Sequence, residues 1–240
     1  MAELNFYFDP VCPFAWMTST WVRQVARLRS YDVEWKFVSL RQLNANVDYD
    51  THFPPEYPAV HDAGLRMLRV AAAARAEHGS AAIGPLYEAF GAHIHDVAKP
   101  ASLQESNAAL ASPDRVEEIL RDAGLPVALA KALQDESWDA ELAAETAEAT
   151  SLAGKDIGTP VIQVDPPHGM AFFGPVISRR PSDSEAVELW DAVLTLTRFP
   201  GFAELKRSLR ELPQLRSLGG HEGAPGVVED WHQGSRKQKR

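Results

Sequence analysis

The sequence predicts an α/β protein in which a long helical segment separates two parts of one β-sheet. A strand-helix-strand pattern occupies about the first 40 residues, and strand patterns return only after Gly158. Between them, from His61 to about Gly154, the sequence is rich in Ala and has apolar residues at helical spacing. This order predicts a sheet that is completed only after a helical insertion.

The N-terminal elements follow from local patterns. Leu4 to Phe8 is an apolar run rich in aromatic residues that Asp9-Pro10 ends, which predicts a buried strand. From Trp16 to Leu28 apolar residues recur at helical spacing, so a helix is predicted to begin near Pro13. The next strand is predicted where charged residues alternate with Val33, Trp35 and Phe37. Cys12 therefore lies at the N-terminus of the first helix.

The remaining elements are also marked by sequence signals. The polar, proline-bearing residues 44–58 predict a loop, and turn signals divide the Ala-rich segment that follows into about four helices. Val161 to Val164 and Met170 to Phe173 predict two strands of a hairpin. Ser182 and Glu185 have the spacing of a capping box, which predicts the start of a helix.

Composition and charge exclude several classes of function. The formal net charge is -9 and only the far C-terminus is basic, so no nucleic-acid or anionic-membrane partner is expected. No secretory signal and no apolar run of about 20 residues occurs, which predicts a cytoplasmic protein. With eight scattered histidines and no Gly-rich phosphate loop, no metal, flavin or nucleotide cofactor is expected.

Cys12 is the single cysteine of the chain, so any disulfide chemistry must involve a second molecule. At a helix N-terminus the helix dipole and free backbone N–H groups favour the thiolate, which is the reactive form. The alternative interpretation is that Cys12 is a small buried hydrophobic residue, as free cysteines often are. The strand, Asp-Pro turn and Cys-Pro helix start favour the presentation of a reactive group.

Several motifs carry a family resemblance. Phe8-Asp9-Pro10-Val11-Cys12-Pro13-Phe14-Ala15-Trp16, with a later Gly158-Thr159-Pro160-Val161, resembles the DsbA-like branch of the thioredoxin superfamily. Within that branch the chain resembles the mycothiol-dependent nitroreductases of actinobacteria. The further residues that support this are Thr18-Ser19, Leu43-Asn44, Ile94-His95 and Ala171-Phe172-Phe173-Gly174-Pro175-Val176.

The resemblance covers most of residues 4–210 and implies a thioredoxin-like fold with a large all-helical insertion. Residues 1–50 and 157–212 are predicted to form the thioredoxin-like domain, and residues 51–156 the helical insertion domain. Residues 213–240 mix Gly, Pro, His and terminal basic residues, which predicts a disordered tail. The resemblance also implies a homodimer.

The resemblance further implies which residues form the site. Cys12 is the catalytic nucleophile, and mycothiol is the low-molecular-weight thiol that serves as cosubstrate. Pro160 is implied to be cis beside Cys12, where the backbone of Thr159 can pair with a bound thiol compound. The remaining thiol- or substrate-binding residues implied are Pro13, Phe14, Ala15, Asn44, Tyr57 and His95. Without the resemblance, Asn44 and Tyr57 would be read as surface-loop residues and His95 as an ordinary hydrogen-bonding histidine, while Trp16 is predicted to pack in the core.

One position departs from the family pattern. Redox members often have a second cysteine where this chain has Ala15, so a dithiol cycle is excluded. The expected function is a single-cysteine oxidoreductase that uses mycothiol to reduce a small electrophilic, nitro or disulfide substrate. Two alternatives stay open: a kappa-type glutathione transferase or 2-hydroxychromene-2-carboxylate isomerase, whose families usually have Ser at the Cys12 position, and a non-catalytic thioredoxin-fold binding protein.

Overall fold

A computed structural model of the chain describes residues 3–154, 157–207, 209–220, 226 and 228–230. The strands are β1 Leu4–Phe8, β2 Val33–Phe37, β3 Val161–Val164, β4 Ala171–Phe173, β5 Leu209–Glu211 and β6 Val228–Asp230. The helices are α1 Pro13–Arg29, α2 Leu40–Leu43, α3 Tyr49–His52, α4 Tyr57–His78, α5 Ile83–Ile94, α6 Leu103–Ala109, α7 Pro113–Asp122, α8 Asp139–Ala153 and α9 Asp183–Thr197. Shorter 3-10 turns cover Ser80–Ala82, Val127–Gln134, Glu136–Trp138 and Arg216–Leu218.

The main sheet has four strands in the order β2-β1-β3-β4. β1 runs parallel to β2 through the α1 crossover and antiparallel to β3, with Phe6 opposite both Trp35 and Ile162. β3 and β4 form the predicted antiparallel hairpin. The sheet is therefore completed after the helical segment, as the sequence predicts, and the arrangement is a thioredoxin-like fold with a helical insertion.

Different helices cover the two faces of this sheet. On one face the Phe8 ring stacks on Tyr87 of α5 with 3.7 Å between centroids. There Trp21 of α1 also packs edge-on against Trp190 of α9 at 5.5 Å. α8 covers the other face in a separate apolar cluster of Tyr7, Val38, Ala149 and Val161. Since β1 is buried from both sides, the loop that follows it starts from a rigid base.

The helical insertion differs in detail from the prediction. Residues 57–153 contain five α-helices rather than about four. The residues predicted as a loop contain α3, in which the side chain of Asp48 caps the helix by accepting from the Asp50 N–H. The predicted domain boundary at residue 50 falls inside this short helix. Pro58 lies in the first turn of α4, where a missing N–H does not interrupt the helix.

The C-terminal segment also differs from the predicted disordered tail. The side chain of Leu215 is buried in the main apolar cluster, and the Ser217 N–H donates to the carbonyl of His95 at 3.1 Å. β6 pairs with β5 in a two-stranded antiparallel sheet. Part of residues 213–240 is thus folded because it covers apolar surface and pairs backbone groups; the rest lies outside the described residues.

Candidate active site

Cys12 is the N-cap residue of α1. Its backbone is extended, with φ -79° and ψ 112°, while its carbonyl accepts the first helical hydrogen bond from the Trp16 N–H at 3.0 Å. The N–H of Ala15 donates to Cys12 Sγ at 3.4 Å. Pro13 occupies the first helical position, where no N–H is needed. The sequence places the sulfur here because the Asp-Pro turn ends β1 and Cys-Pro begins the helix.

The loop before β3 closes the other side of the sulfur. Cys12 Sγ donates to the backbone carbonyl of Thr159 at 3.4 Å, and the Thr159–Pro160 peptide bond is cis. Thr159 is itself fixed, because its hydroxyl donates to the carbonyl of Tyr7 at 3.0 Å and it is buried. Residues about 150 positions apart in the chain therefore meet at one sulfur atom. Its immediate polar partners include one N–H donor and one carbonyl acceptor.

The ionisation of Cys12 differs from the prediction. Only 8% of the residue is exposed, and this burial raises the pKa of its thiol to about 12. The hydrogen bond from Ala15 favours the thiolate but is outweighed by burial, and the nearby charge of Asp9 also raises the pKa. At neutral pH the sulfur is thus a protonated thiol that donates to Thr159. The prediction of a thiolate fails because burial outweighs the favourable field of the helix N-terminus.

A buried carboxyl group lies directly behind the Cys12 loop. Asp9 is fully buried, and its two carboxyl oxygens accept hydrogen bonds from the N–H groups of Val11 at 3.0 Å and Leu40 at 2.8 Å. Burial raises its pKa to about 7, against the opposing effect of those two bonds. Asp9 belongs to the family motif, but the sequence predicts for it only the end of a strand. The sequence feature that could have identified Asp9 is an acidic residue placed between a buried strand and the single cysteine.

His95 supports the same loop from the helical insertion. Its Nε2 lies 2.9 Å from the carbonyl of Pro10, and burial lowers the pKa of the imidazole to about 4. The ring is therefore neutral at pH 7 and Nε2–H donates to that carbonyl. Trp16 stacks on His95 and its indole N–H donates to Asp96 at 3.1 Å. Trp16 thus packs in the core as predicted, and His95 fixes the loop from beneath.

The other predicted binding residues are placed as follows. Phe14 is buried in the main apolar cluster. The side-chain amide of Asn44 donates to the carbonyl of Leu40 at 2.8 Å and so ends α2. Tyr57 is half-buried at the start of α4, where its ring stacks on Phe53 with 5.3 Å between centroids. Cys12, Pro13, Ala15, Thr159 and Pro160 come together, whereas Asn44 bonds to Leu40 and the ring of Tyr57 contacts the rings of Phe53 and His61.

Among the described residues, neither a metal-binding cluster nor a membrane-spanning helix accompanies the Cys12 sulfur. Within the described part of the chain, no cluster of three or more His, Cys, Asp or Glu residues is arranged to hold a metal ion. No helix there combines the length and apolar character needed to cross a bilayer. The arrangement joins the Cys12 sulfur to one donor, the Ala15 N–H, and one acceptor, the Thr159 carbonyl.

The chain is similar to a known family and to individual known proteins. The model of a family described as Rv2466c-like, mycothiol-dependent nitroreductase Rv2466c, matches residues 11–207. The uncharacterised protein Rv2286c of Mycobacterium tuberculosis is 28% identical over 209 residues, which are 86% of this chain and 82% of that protein. The crystal structure of a probable DsbA oxidoreductase, SCO1869 from Streptomyces coelicolor, is 14% identical with a TM-score of 0.49 and covers 90% of this chain and 98% of its own.

Proposed function

This chain belongs to the Rv2466c-like family of mycothiol-dependent nitroreductases and is a thiol-dependent oxidoreductase, and we propose that Cys12 is its reacting sulfur. The proposed cosubstrate is mycothiol, and the proposed substrates are small nitro compounds, other small electrophiles or mixed disulfides. One observation supports this most directly. The sulfur of the single cysteine lies between the Ala15 N–H and the Thr159 carbonyl, at the first turn of α1.

The proposed reaction on a disulfide has two exchange steps. The Cys12 sulfur attacks one sulfur of the substrate, the substrate S–S bond breaks, and the leaving thiolate takes up a proton. The sulfur of a mycothiol molecule then attacks the resulting mixed disulfide and restores the Cys12 thiol. Since Ala15 stands where a resolving cysteine would lie, the second thiol must come from solution.

The proposed reduction of a nitro group at the same site also proceeds through a mixed disulfide of Cys12. Oxidation of the Cys12 thiol and one mycothiol thiol to a mixed disulfide releases two electrons and two protons. The nitro group takes these up, loses one oxygen as water and becomes a nitroso group. A second mycothiol then restores Cys12 and leaves as mycothiol disulfide. Nitro reduction therefore consumes two mycothiol molecules per substrate, whereas the disulfide reaction consumes one, which leaves in a mixed disulfide with half of the substrate.

Burial of the sulfur determines how the first step begins. Because the pKa of Cys12 is raised to about 12, the ionised fraction at pH 7 is very small. Turnover by this route therefore requires loss of the thiol proton when the substrate binds. The Thr159 carbonyl that accepts the S–H in the free protein marks the side on which a thiol compound is expected to lie.

The proposal is tested with two substitutions at Cys12. Wild type, Cys12→Ser and Cys12→Ala are compared for reduction of an aromatic nitro compound with mycothiol, followed by absorbance. If Cys12 is the nucleophile, both variants lose turnover to the background rate. Full turnover in both variants would exclude the sulfur from the reaction. Thr20→Ala, on the same helix, is the matched control and retains wild-type activity.

One observation favours a second function. A protonated Cys12 that donates to a carbonyl resembles a serine hydroxyl in its hydrogen bonding, and kappa-type transferases and 2-hydroxychromene-2-carboxylate isomerases usually have Ser there. In that case the Cys12 side chain orients a thiol cosubstrate without forming a disulfide. Cys12→Ser then retains activity while Cys12→Ala loses it. Glutathione in place of mycothiol identifies the cosubstrate of such an enzyme.

The location and assembly of the protein are part of the proposal. The family resemblance supports a cytoplasmic homodimer. Sedimentation velocity at micromolar concentration tests the dimer, and a monomer at all concentrations would contradict it.

If neither mycothiol nor glutathione supports turnover, and neither forms an adduct with the protein, the chain is better explained as a non-catalytic binding protein.

A further inference from the structure

Asp9 connects three separate elements beneath the site. One carboxyl oxygen accepts from Val11 in the loop that carries Cys12, and the other accepts from Leu40 at the start of α2. From α4, Gly64 approaches so closely that a Cβ atom there would lie 2.5 Å from Asp9 Oδ1. The carboxyl group is therefore enclosed and fixed, and its donors among the described residues are these two backbone N–H groups.

The charged and titratable groups that act on this carboxyl group are few. Cys12 lies three residues along the same loop, Tyr49 approaches from α3, and Tyr87 approaches from α5. Arg41 of α2 is a cation beside Tyr49, but its guanidinium pairs with the carboxylate of Asp62 at 2.7 Å. The imidazoles of His61 and His95 are neutral at pH 7, because burial lowers the pKa of each to about 4. Asp9 and Cys12 are thus two acidic groups buried side by side, and ionisation of either one opposes ionisation of the other.

We propose that Asp9 is a positioning residue that controls the reactivity of Cys12. Its carboxyl group fixes the 9–12 loop so that the sulfur faces Thr159, and its negative charge keeps that sulfur protonated until Asp9 itself takes up a proton. The inference deepens the proposed function, since it concerns the sulfur proposed to react. It adds a group that neither the sequence motifs nor the family description assigns.

The proton balance gives this proposal a distinct pH signature. Protonated Asp9 with ionised Cys12 holds the same number of protons as the Asp9 carboxylate with the Cys12 thiol. The population of the first state is therefore independent of pH once Asp9 has titrated. Burial places that titration at a pKa of about 7. The thiolate population rises with pH below neutrality, flattens across the Asp9 titration, and rises again in alkali.

The wild-type protein alone tests this signature. The modification rate of Cys12 by methyl methanethiosulfonate, an uncharged thiol reagent, is measured by intact mass from pH 5.5 to 9.5. The alkaline limb is expected to lie at least about tenfold below the line extrapolated from the acid limb, because a unit charge closer than about 12 Å shifts an ionisation by more than tenfold at an effective dielectric of about 20. An uninterrupted tenfold rise per pH unit over the whole range would overturn the proposal.

Substitution of Asp9 supplies the second measurement. Asp9→Asn removes the charge, so its modification rate above pH 8 is expected to rise at least about tenfold and to follow a single straight limb. Glu118→Gln removes an exposed carboxylate of α7 and is expected to keep the wild-type profile. A folded Asp9→Asn protein with an unchanged or lower rate would show that Asp9 acts on the loop alone. If this variant does not fold, the wild-type profile decides.

Both measurements are independent of turnover. They use a chemical reagent and no mycothiol, so loss of the proposed function in the Cys12 variants leaves the Asp9 result unaffected. Conversely, a straight profile with normal mycothiol turnover would reject the role of Asp9 and keep the proposed function.

Discussion

The contact between Gly91 and Trp16 gives a prediction whose size follows from the packing. Gly91→Ala places a Cβ atom on three atoms of the indole ring of Trp16. The ring has little room to move, because it is 4% exposed, stacks on His95 and meets Tyr87 edge-on. Overpacking of this kind costs about 1–3 kcal/mol or more, while Ala gains about 1 kcal/mol over Gly in a helix.

The net expectation is a loss of about 2 kcal/mol in the free energy of unfolding, or a fall in Tm of about 4–8 °C for a chain of this length. Urea unfolding and thermal circular dichroism measure it. Ala92→Gly, at an exposed position on the same helix, is the control and is expected to lose only about 1 kcal/mol. Trp16→Phe should recover part of the loss in the double variant. An equal or higher Tm for Gly91→Ala would refute the placement of this ring.

Three further predictions concern stability. Because burial lowers the pKa of His95 to about 4, its contribution is full above pH 6.5 and is lost as pH falls towards 4. Between pH 6.5 and 4 the free energy of unfolding, measured with urea at each pH, should therefore fall by up to about 3 kcal/mol less in His95→Gln than in the wild type, and an equal fall would contradict this. Asp139→Ala should cost about 3–5 kcal/mol, because it leaves buried Arg69 without its two 2.7 Å bonds, whereas a loss below 1 kcal/mol would show a weak pair. Leu215→Ala should cost about 2–4 kcal/mol, and an unchanged Tm would restore the disordered-tail interpretation.

Local sequence signals predict the framework of the fold. The aromatic strand, the Asp-Pro turn and the Cys-Pro helix start lie within 13 residues, so the position of Cys12 as an N-cap follows from neighbouring residues alone. The capping box of Ser182 and Glu185 is likewise local and is confirmed. The four-stranded sheet with a helical insertion is confirmed because each of its strands has a clear pattern.

The pKa values of Cys12 and Asp9 depend on residues that are distant in the chain, so the local sequence does not predict them. The sulfur of Cys12 is buried partly because Thr159 lies against it, 147 positions away in the chain. Asp9 is enclosed because Gly64 meets it closely, and the sequence predicts the helix that carries Gly64 but not what that helix packs against. The burial of Leu215 is also not predicted, because it lies with Leu218 in a short segment between Pro213 and Gly219, and these turn residues favour an irregular chain. Burial at these positions is a property of the packed chain.

The most direct test of a reacting sulfur at Cys12 is intact-mass analysis after incubation with oxidised mycothiol. The account predicts one mycothiol adduct per chain in the wild type, located on Cys12, removed by reduced mycothiol and absent in Cys12→Ser. Mycothiol-dependent turnover by a wild-type protein that forms no such adduct would contradict it.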